Sequence, residues 1–311
     1  MGEWSKTVGE FGEKTVENFL KLIGWGETPK NIEVECLKSK SHSKGESERQ
    51  THGLDFYFSY LSPLVDLTLK NVHVSSKFTA DKYPNSPTRL FKDYLEDIST
   101  AVECFRFSEK KANCNAAIRG YKHVENIGVL FWLSNDSESY DDLSAKLNSS
   151  NVSWDGSMQM LYLVDNKRIS FIIQVLKYIE NNYWSDQRDF FYPNTGKNII
   201  PSERKDYGKI LPVEYINSSV LPIRIQDQNG RTGLVLASID PFSTSDFARL
   251  VGLAKDLSKS WSGFVNILFP DYNELNHSSD VRQVKNGFQK DLLTDTINVG
   301  SYNSSFTSIN E

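Results

Sequence analysis

Cysteine is scarce in this chain: three residues in 311, Cys36, Cys104 and Cys114, with no CxxC among them. That number and spacing exclude a disulfide framework, give no sign of a zinc site, and read as reduced thiols. Long apolar runs are also missing; nothing approaches the ~20 residues a bilayer-spanning helix needs. The first turns carry Glu3, Glu10, Glu13 and Glu17, which no secretory leader tolerates. Lys6 stands where an N-myristoylation motif needs Ser or Thr. These absences predict a soluble, cytoplasmic protein with no membrane partner. A positive surplus is lacking too, with 35 Lys and Arg against 40 Asp and Glu and a net charge of −5. This excludes a polybasic nucleic-acid coat. It leaves open an enzyme that confines its positive charge to one cleft.

What is present is a core-forming, aromatic-rich chain, 39% apolar and 12% aromatic. Residues 5–24 read as a helix, because Val8, Val16, Phe19, Leu20 and Ile23 recur on one face and Gly24 stops it. A short strand is expected at 32–37, then a polar, mobile loop over 38–51 carrying Lys38, Lys40, Lys44 and Arg49. Two apolar, aromatic strands follow near 53–60 and 71–78, joined by a turn at Ser62-Pro63. Ser86 is placed to cap a helix over 88–108. Strands at 128–133 and 159–164 and a helix at 168–183 complete an α/β layer pattern. Residues 185–210 read as a linker or long loop. Beyond it, Asn229-Gly230 marks a hairpin between strands at 221–226 and 233–239. A helix at 244–260, capped by Ser243 or Thr244, and a strand at 263–269 follow; the Asn/Ser/Thr-rich tail from 294 reads as loose.

The chemistry-bearing residues lie early. Side chains alternate along a strand, so Asp55, Tyr57 and Ser59 are expected on one face and Leu54, Phe56 and Phe58 on the other. On the next strand His73, Ser75 and Lys77 share a face. Pairing of the two strands brings Asp55, Ser75 and Lys77 to one spot. A carboxylate among buried aromatics needs a partner, which makes Asp55 hard to read as ordinary surface. On the first helix Glu10, Glu13 and Glu17 fall within ~60° of arc, and Glu13 borders the apolar stripe. That acidic face is either solvated surface or, at Glu13, part of the site.

An Asp strand and a Lys strand, in that order after an acidic helix, resemble the PD-(D/E)xK nuclease superfamily, which includes restriction endonucleases and Holliday-junction resolvases. The resemblance covers residues 5–79 and continues less specifically to about 183. It implies a restriction-endonuclease-like core, with helix, mixed sheet and helix; the second, smaller α/β unit is read from the strand and helix pattern of residues 221–269. It implies a Mg²⁺ or Mn²⁺ cofactor held by Asp55, with Lys77 at the attacking water and the backbone carbonyl of Ser76 as a further ligand. The opening helix looks like that of resolvase-type members, whose helix Glu reaches the metal; Glu13 matches it. This chain departs from the pattern at Ser75, where a second acid is usual. Some restriction enzymes of the superfamily take that carboxylate from the following helix, where Asp93 and Glu96 stand here. The Pro preceding the core Asp is replaced by Gly53-Leu54.

The expected activity is metal-dependent DNA endonuclease, in phage defence or restriction, with DNA and a second subunit or further copies of the chain as partners. Lys38, Lys40, Lys44, Arg49 and His52 are the expected DNA contacts. The competing expectation is a degenerate nuclease fold serving as a non-catalytic subunit. The division expected is 1–185 nuclease, 186–204 linker, 205–293 recognition or interaction unit, and 294–311 tail. In the C-terminal unit Trp261, Phe264 and the Lys255/Lys259 pair mark a face that meets DNA or a partner, or one that packs on its own sheet.

Overall fold

The computed structural model describes residues 2–303 except 27–28, 44, 46, 139–140, 148–152, 154–155, 184–187, 201, 203, 259–260 and 289–291. The chain divides into two compact units. One holds residues 1–169 and 195–204; the other holds 170–194 and 205–311.

In the first unit, helix α1 (Gly2–Leu22) is followed by strands β1 (Lys30–Glu35), β2 (Thr51–Leu61) and β3 (Thr68–Thr79). Helices α2 (Thr88–Phe105) and α3 (Glu109–Asn115), strand β4 (His123–Ser134), helix α4 (Leu143–Leu147) and strand β5 (Met160–Val164) complete it. The five strands form one mixed sheet in chain order: β1, β2 and β3 are antiparallel, while β3, β4 and β5 are parallel. Parallel neighbours require crossovers, and α2 with α3, then α4, supply them. The apolar stripe of α1 forms as its spacing predicts, with Val16, Phe19, Leu20 and Ile23 buried. Gly24 leaves the helix at φ +84, a conformation an L side chain disfavours, and Trp25 turns back to stack on Phe58 at 5.4 Å.

Helix α2 is not capped by Ser86. Its N-cap position is Pro87, and no side chain bonds there. The loop before β2 is not loose where it is described. Backbone bonds Cys36 N–H to Gln50 O (2.8 Å), His42 N–H to Lys38 O (2.9 Å) and Arg49 N–H to Ser39 O (3.0 Å) close it into an ordered turn. Part of the expected linker is also pinned: Ile200 N–H donates to Asp66 at 2.7 Å and Asn198 donates to the same carboxylate at 3.1 Å, docking this segment on the β2–β3 turn.

The second unit contains most of helix α5 (Asn166–Asn182), strands β6 (Asp189–Phe191), β7 (Tyr207–Gly208), β8 (Val220–Gln226) and β9 (Thr232–Ser238), and helix α6 (Thr244–Ser258). Strand β10 (Phe264–Phe269), helices α7 (Glu274–Gly287) and α8 (Leu292–Asp295) and strand β11 (Ile297–Ser301) follow. The sheet order is β11-β10-β9-β8-β6-β7. The Asn-Gly hairpin between β8 and β9 forms with Gly230 at φ +76, and Ser243 caps α6 by accepting from Asp246 N–H. Two expectations are corrected. The segment from 294 is not wholly loose, since β11 lies parallel to β10 with Ile297 fully buried. Trp261 does not present a recognition face: its ring stacks on Phe191 at 5.1 Å and its indole N–H donates to Leu257 O, while Lys259 lies outside the described residues.

Candidate active site

Strands β2 and β3 pair with Phe56 opposite Val74 and Tyr57 opposite His73, which carries Asp55 to the level of Ser75 and Ser76. The Ser76 N–H donates to Asp55 Oδ2 at 2.6 Å, and the Ser75 side chain bonds the same carboxylate. Asp55 is mostly buried. Burial raises its carboxyl above the usual range, against the Ser76 N–H, the Lys77 charge and the Ser75 bond, which pull it down. Ser75 thus supports the acid on the neighbouring strand. It cannot supply the anionic charge that the usual acid at that place would bring.

Strict alternation fails along β2. Leu54 and Tyr57, expected on opposite faces, both belong to the buried cluster with Ala101, Cys104 and Phe105 of α2. Phe58 stacks instead on Trp25. The alternation therefore breaks between Leu54 and Tyr57, a stretch that includes Asp55.

Helix α1 meets β3 closely because Gly12 has no Cβ; one built there would stand 2.3 Å from the Cβ of Phe78. Phe11 packs edge-on to Phe78 at 5.4 Å. The next residue, Glu13, is half-buried, and its carboxyl is raised by burial, then by the charges of Asp55 and Glu10, and lowered by Lys77. Glu13, Asp55 and Lys77 share one electrostatic neighbourhood. Glu17 does not join it. Three lysines hold Glu17, with Lys21 at 2.6 Å and Lys30 at 2.7 Å, and its carboxyl falls to about 2.

Asp93 and Glu96 are both exposed on α2. That helix reaches the site through Tyr94, whose ring lies 5.5 Å from Lys77 Nζ. The Lys77–Tyr94 contact was not read from the sequence; an aromatic at the polar edge of a helix stripe was its only signal. The donor set fits a hard divalent cation. Mg²⁺ takes one or two carboxylates with phosphate and water, and here two half-buried carboxyls lie close enough for Asp55 to raise Glu13.

The expected DNA contacts fare unevenly. Lys40 is exposed, 4.0 Å from Glu48. Arg49 pairs with Asp97 at 3.1 Å, and Lys38 pairs with Glu103. Lys44 lies outside the described residues. His52 is corrected: it is 1% exposed, and burial first, then the charge of Arg49, lowers its pKa to about 4. A buried, neutral imidazole does not meet a phosphate. The three cysteines are free thiols, as read, but the expectation that they are too few and too irregularly spaced for a metal cluster is corrected: Cys36 and Cys104 converge with His42 and His52.

The raised Asp55 carboxyl has a consequence for stability. Between its ordinary and raised values the folded chain keeps a proton that the unfolded chain has released. Stability without added Mg²⁺ therefore falls as pH rises through that window. Asp55→Asn is expected to melt higher than wild type at pH 7, with the gain gone below the ordinary carboxylate range. Calorimetry at both pH values checks this; a mutant melting lower at pH 7 would mean that the carboxylate holds the fold.

Among the described residues no helix is long and apolar enough to cross a membrane. No curated protein and no solved structure matches the chain. Residues 1–168 match the family model described as the GAPS4 protein PD-(D/E)XK nuclease domain, a span that includes α1, Asp55 and Lys77. With 168 of 311 residues covered, the chain belongs to that PD-(D/E)XK nuclease family.

Proposed function

We propose that this chain is a metal-dependent DNA endonuclease of a phage-defence system, with Asp55, Lys77 and Glu13 as its catalytic set. The observation that carries the reading is the convergence of Asp55 and Lys77 on paired strands, with the α1 acid in the same field. The Asp55 and Glu13 carboxylates would hold Mg²⁺ or Mn²⁺, which supplies an activated water and neutralises charge on the phosphate. The Ser76 N–H and Ser75 hydroxyl fix the Asp55 carboxylate, so little reorganisation accompanies the reaction. Lys77, steadied over the Tyr94 ring, orients the attacking water and offsets phosphate charge. Lys40 stands ready for the DNA backbone. The second unit is assigned recognition of DNA or of a partner subunit.

One observation favours a second reading. Ser75 removes a usual metal ligand, and Asp93 and Glu96 are exposed in this state. The chain would then be a DNA-binding subunit without its own chemistry. The test is incubation of the full chain with supercoiled plasmid, linear duplex and RNA, alone and with the product of the neighbouring gene. Each substrate is run with Mg²⁺, with Mn²⁺, and with EDTA followed by Mg²⁺ back-addition. The proposal expects metal-restored DNA cleavage. DNA retention without cleavage in every arm selects the second reading, and cleavage of RNA alone overturns the substrate assignment.

A further inference from the structure

We infer that Cys36, His42, His52 and Cys104 form a structural Zn²⁺ site, separate from the carboxylates of the nuclease centre. The four come from four places: Cys36 follows β1, His42 lies in the ordered turn, His52 opens β2, and Cys104 lies in the last turn of α2. Each presents one donor atom, and all four atoms lie within 4.8 Å of one another.

The individual distances match a metal tetrahedron. His42 Nδ1 and His52 Nε2 are 3.2 Å apart. Cys36 Sγ is 3.4 Å from His42 Nδ1, and Cys104 Sγ is 3.6 Å from His42 Nδ1 and 3.5 Å from His52 Nε2. Bond lengths of ~2.3 Å to sulfur and ~2.05 Å to nitrogen, at tetrahedral angles, require edges of ~3.3 Å for N···N and ~3.6 Å for S···N. All four observed distances agree with these to about 0.2 Å.

The surroundings supply what a zinc site needs. His42 directs Nε2 at Glu103 Oε2, 3.0 Å away, which places the ring proton there and leaves Nδ1 as a lone pair facing the cluster. Lys38 pairs with the other oxygen of Glu103. The basic residue read as a DNA contact therefore buttresses this carboxylate. Leu37 N–H points at Cys104 Sγ from 3.4 Å, a donor suited to a thiolate. His42, His52 and Cys104 are at most 7% exposed, so water gives the donor atoms little competition. Two thiolates and two neutral imidazoles select Zn²⁺ over Mg²⁺. Four protein ligands leave no open position, so the site is structural: it staples the β1–β2 turn to the end of α2.

The test is metal content and coordination in the full-length protein. Purified chain grown with zinc is expected to contain about one Zn²⁺ per chain by elemental analysis. Cobalt exchange is expected to give the ligand-field bands of a tetrahedral centre with thiolate-to-cobalt charge transfer. Cys104→Ser and His52→Ala should lose the metal. Should either fail to fold, removing zinc from wild type with a strong chelator and restoring it must lower and then recover the melting temperature. Glu103→Gln, a positioning change, should fold and bind zinc roughly 10- to 100-fold more weakly. A protein without stoichiometric zinc that also takes up no cobalt overturns the site. Zinc retained at full occupancy in both Cys36→Ser and Cys104→Ser overturns the ligand set. Neither result depends on whether the chain cleaves DNA.

Discussion

Asp55→Ala and Lys77→Ala are each expected to reduce DNA cleavage by ~10³-fold or more while leaving a folded protein. Losing one preorganised electrostatic group at a reacting centre costs about 10²- to 10³-fold. Asp55 also carries the metal in the proposed mechanism, which adds to its loss. Neither side chain is a packing element: Lys77 is half-exposed, and burial works against the Asp55 carboxylate. Their removal should therefore spare the core. The double mutant should be little worse than either single one, because the groups act on one step. The measurement is single-turnover cleavage beside circular dichroism. A folded Lys77→Ala chain that cuts at wild-type rate removes Lys77 from the site.

The second large effect is expected at Gly12. Replacing a helical Gly by Ala gains ~1 kcal/mol in propensity. Here the new Cβ would sit 2.3 Å from the Cβ and 2.7 Å from the Cγ of Phe78. Those atoms are fixed to a strand and cannot swing aside, so α1 must lift. Overpacking of this kind costs ~1–3 kcal/mol, and the clash outweighs the propensity gain. Gly9 on the same helix meets nothing within 4 Å, so Gly9→Ala is the control and should stabilise. Lifting α1 also displaces Glu13, and misplacement by ~1 Å costs up to about 10²-fold in rate. Gly12→Ala is therefore expected to melt lower than wild type and to cleave more slowly, whereas Gly9→Ala does neither. Equal melting temperatures for the two would show that α1 is not held against β3 by this contact.

Much of the first unit was legible because its signals are local. The α1 stripe, the aromatic runs of β2 and β3 and the apolar β4 each occupy one short window, and their order supplied the resemblance. The candidate site was legible to the extent that Asp55 and Lys77 lie on two consecutive strands. Less legible was whatever depends on distant partners. The irregularity between Leu54 and Tyr57 appears only when α2 packs against β2. The Cys/His cluster draws on residues from 36 to 104, so no spacing rule finds it; three cysteines looked too few because the other two donors are histidines. In the second unit, α7 is strongly polar with Val284 alone buried among its residues, and an amphipathic pattern was too weak to reveal it. Strand β11 was hidden in an Asn- and Ser-rich stretch, since a parallel partner on β10 orders it rather than its own composition.

In the proposed site Asp55 and Glu13 hold the catalytic cation beside Lys77. The most direct measurement is anomalous diffraction from crystals of the Lys77→Ala chain bound to Mn²⁺ and a DNA duplex. A manganese peak is expected between the Asp55 and Glu13 carboxylates, within ~2.6 Å of Asp55 and next to a DNA phosphate. A peak that Asp55 does not touch, or a DNA complex that binds no manganese, would contradict it.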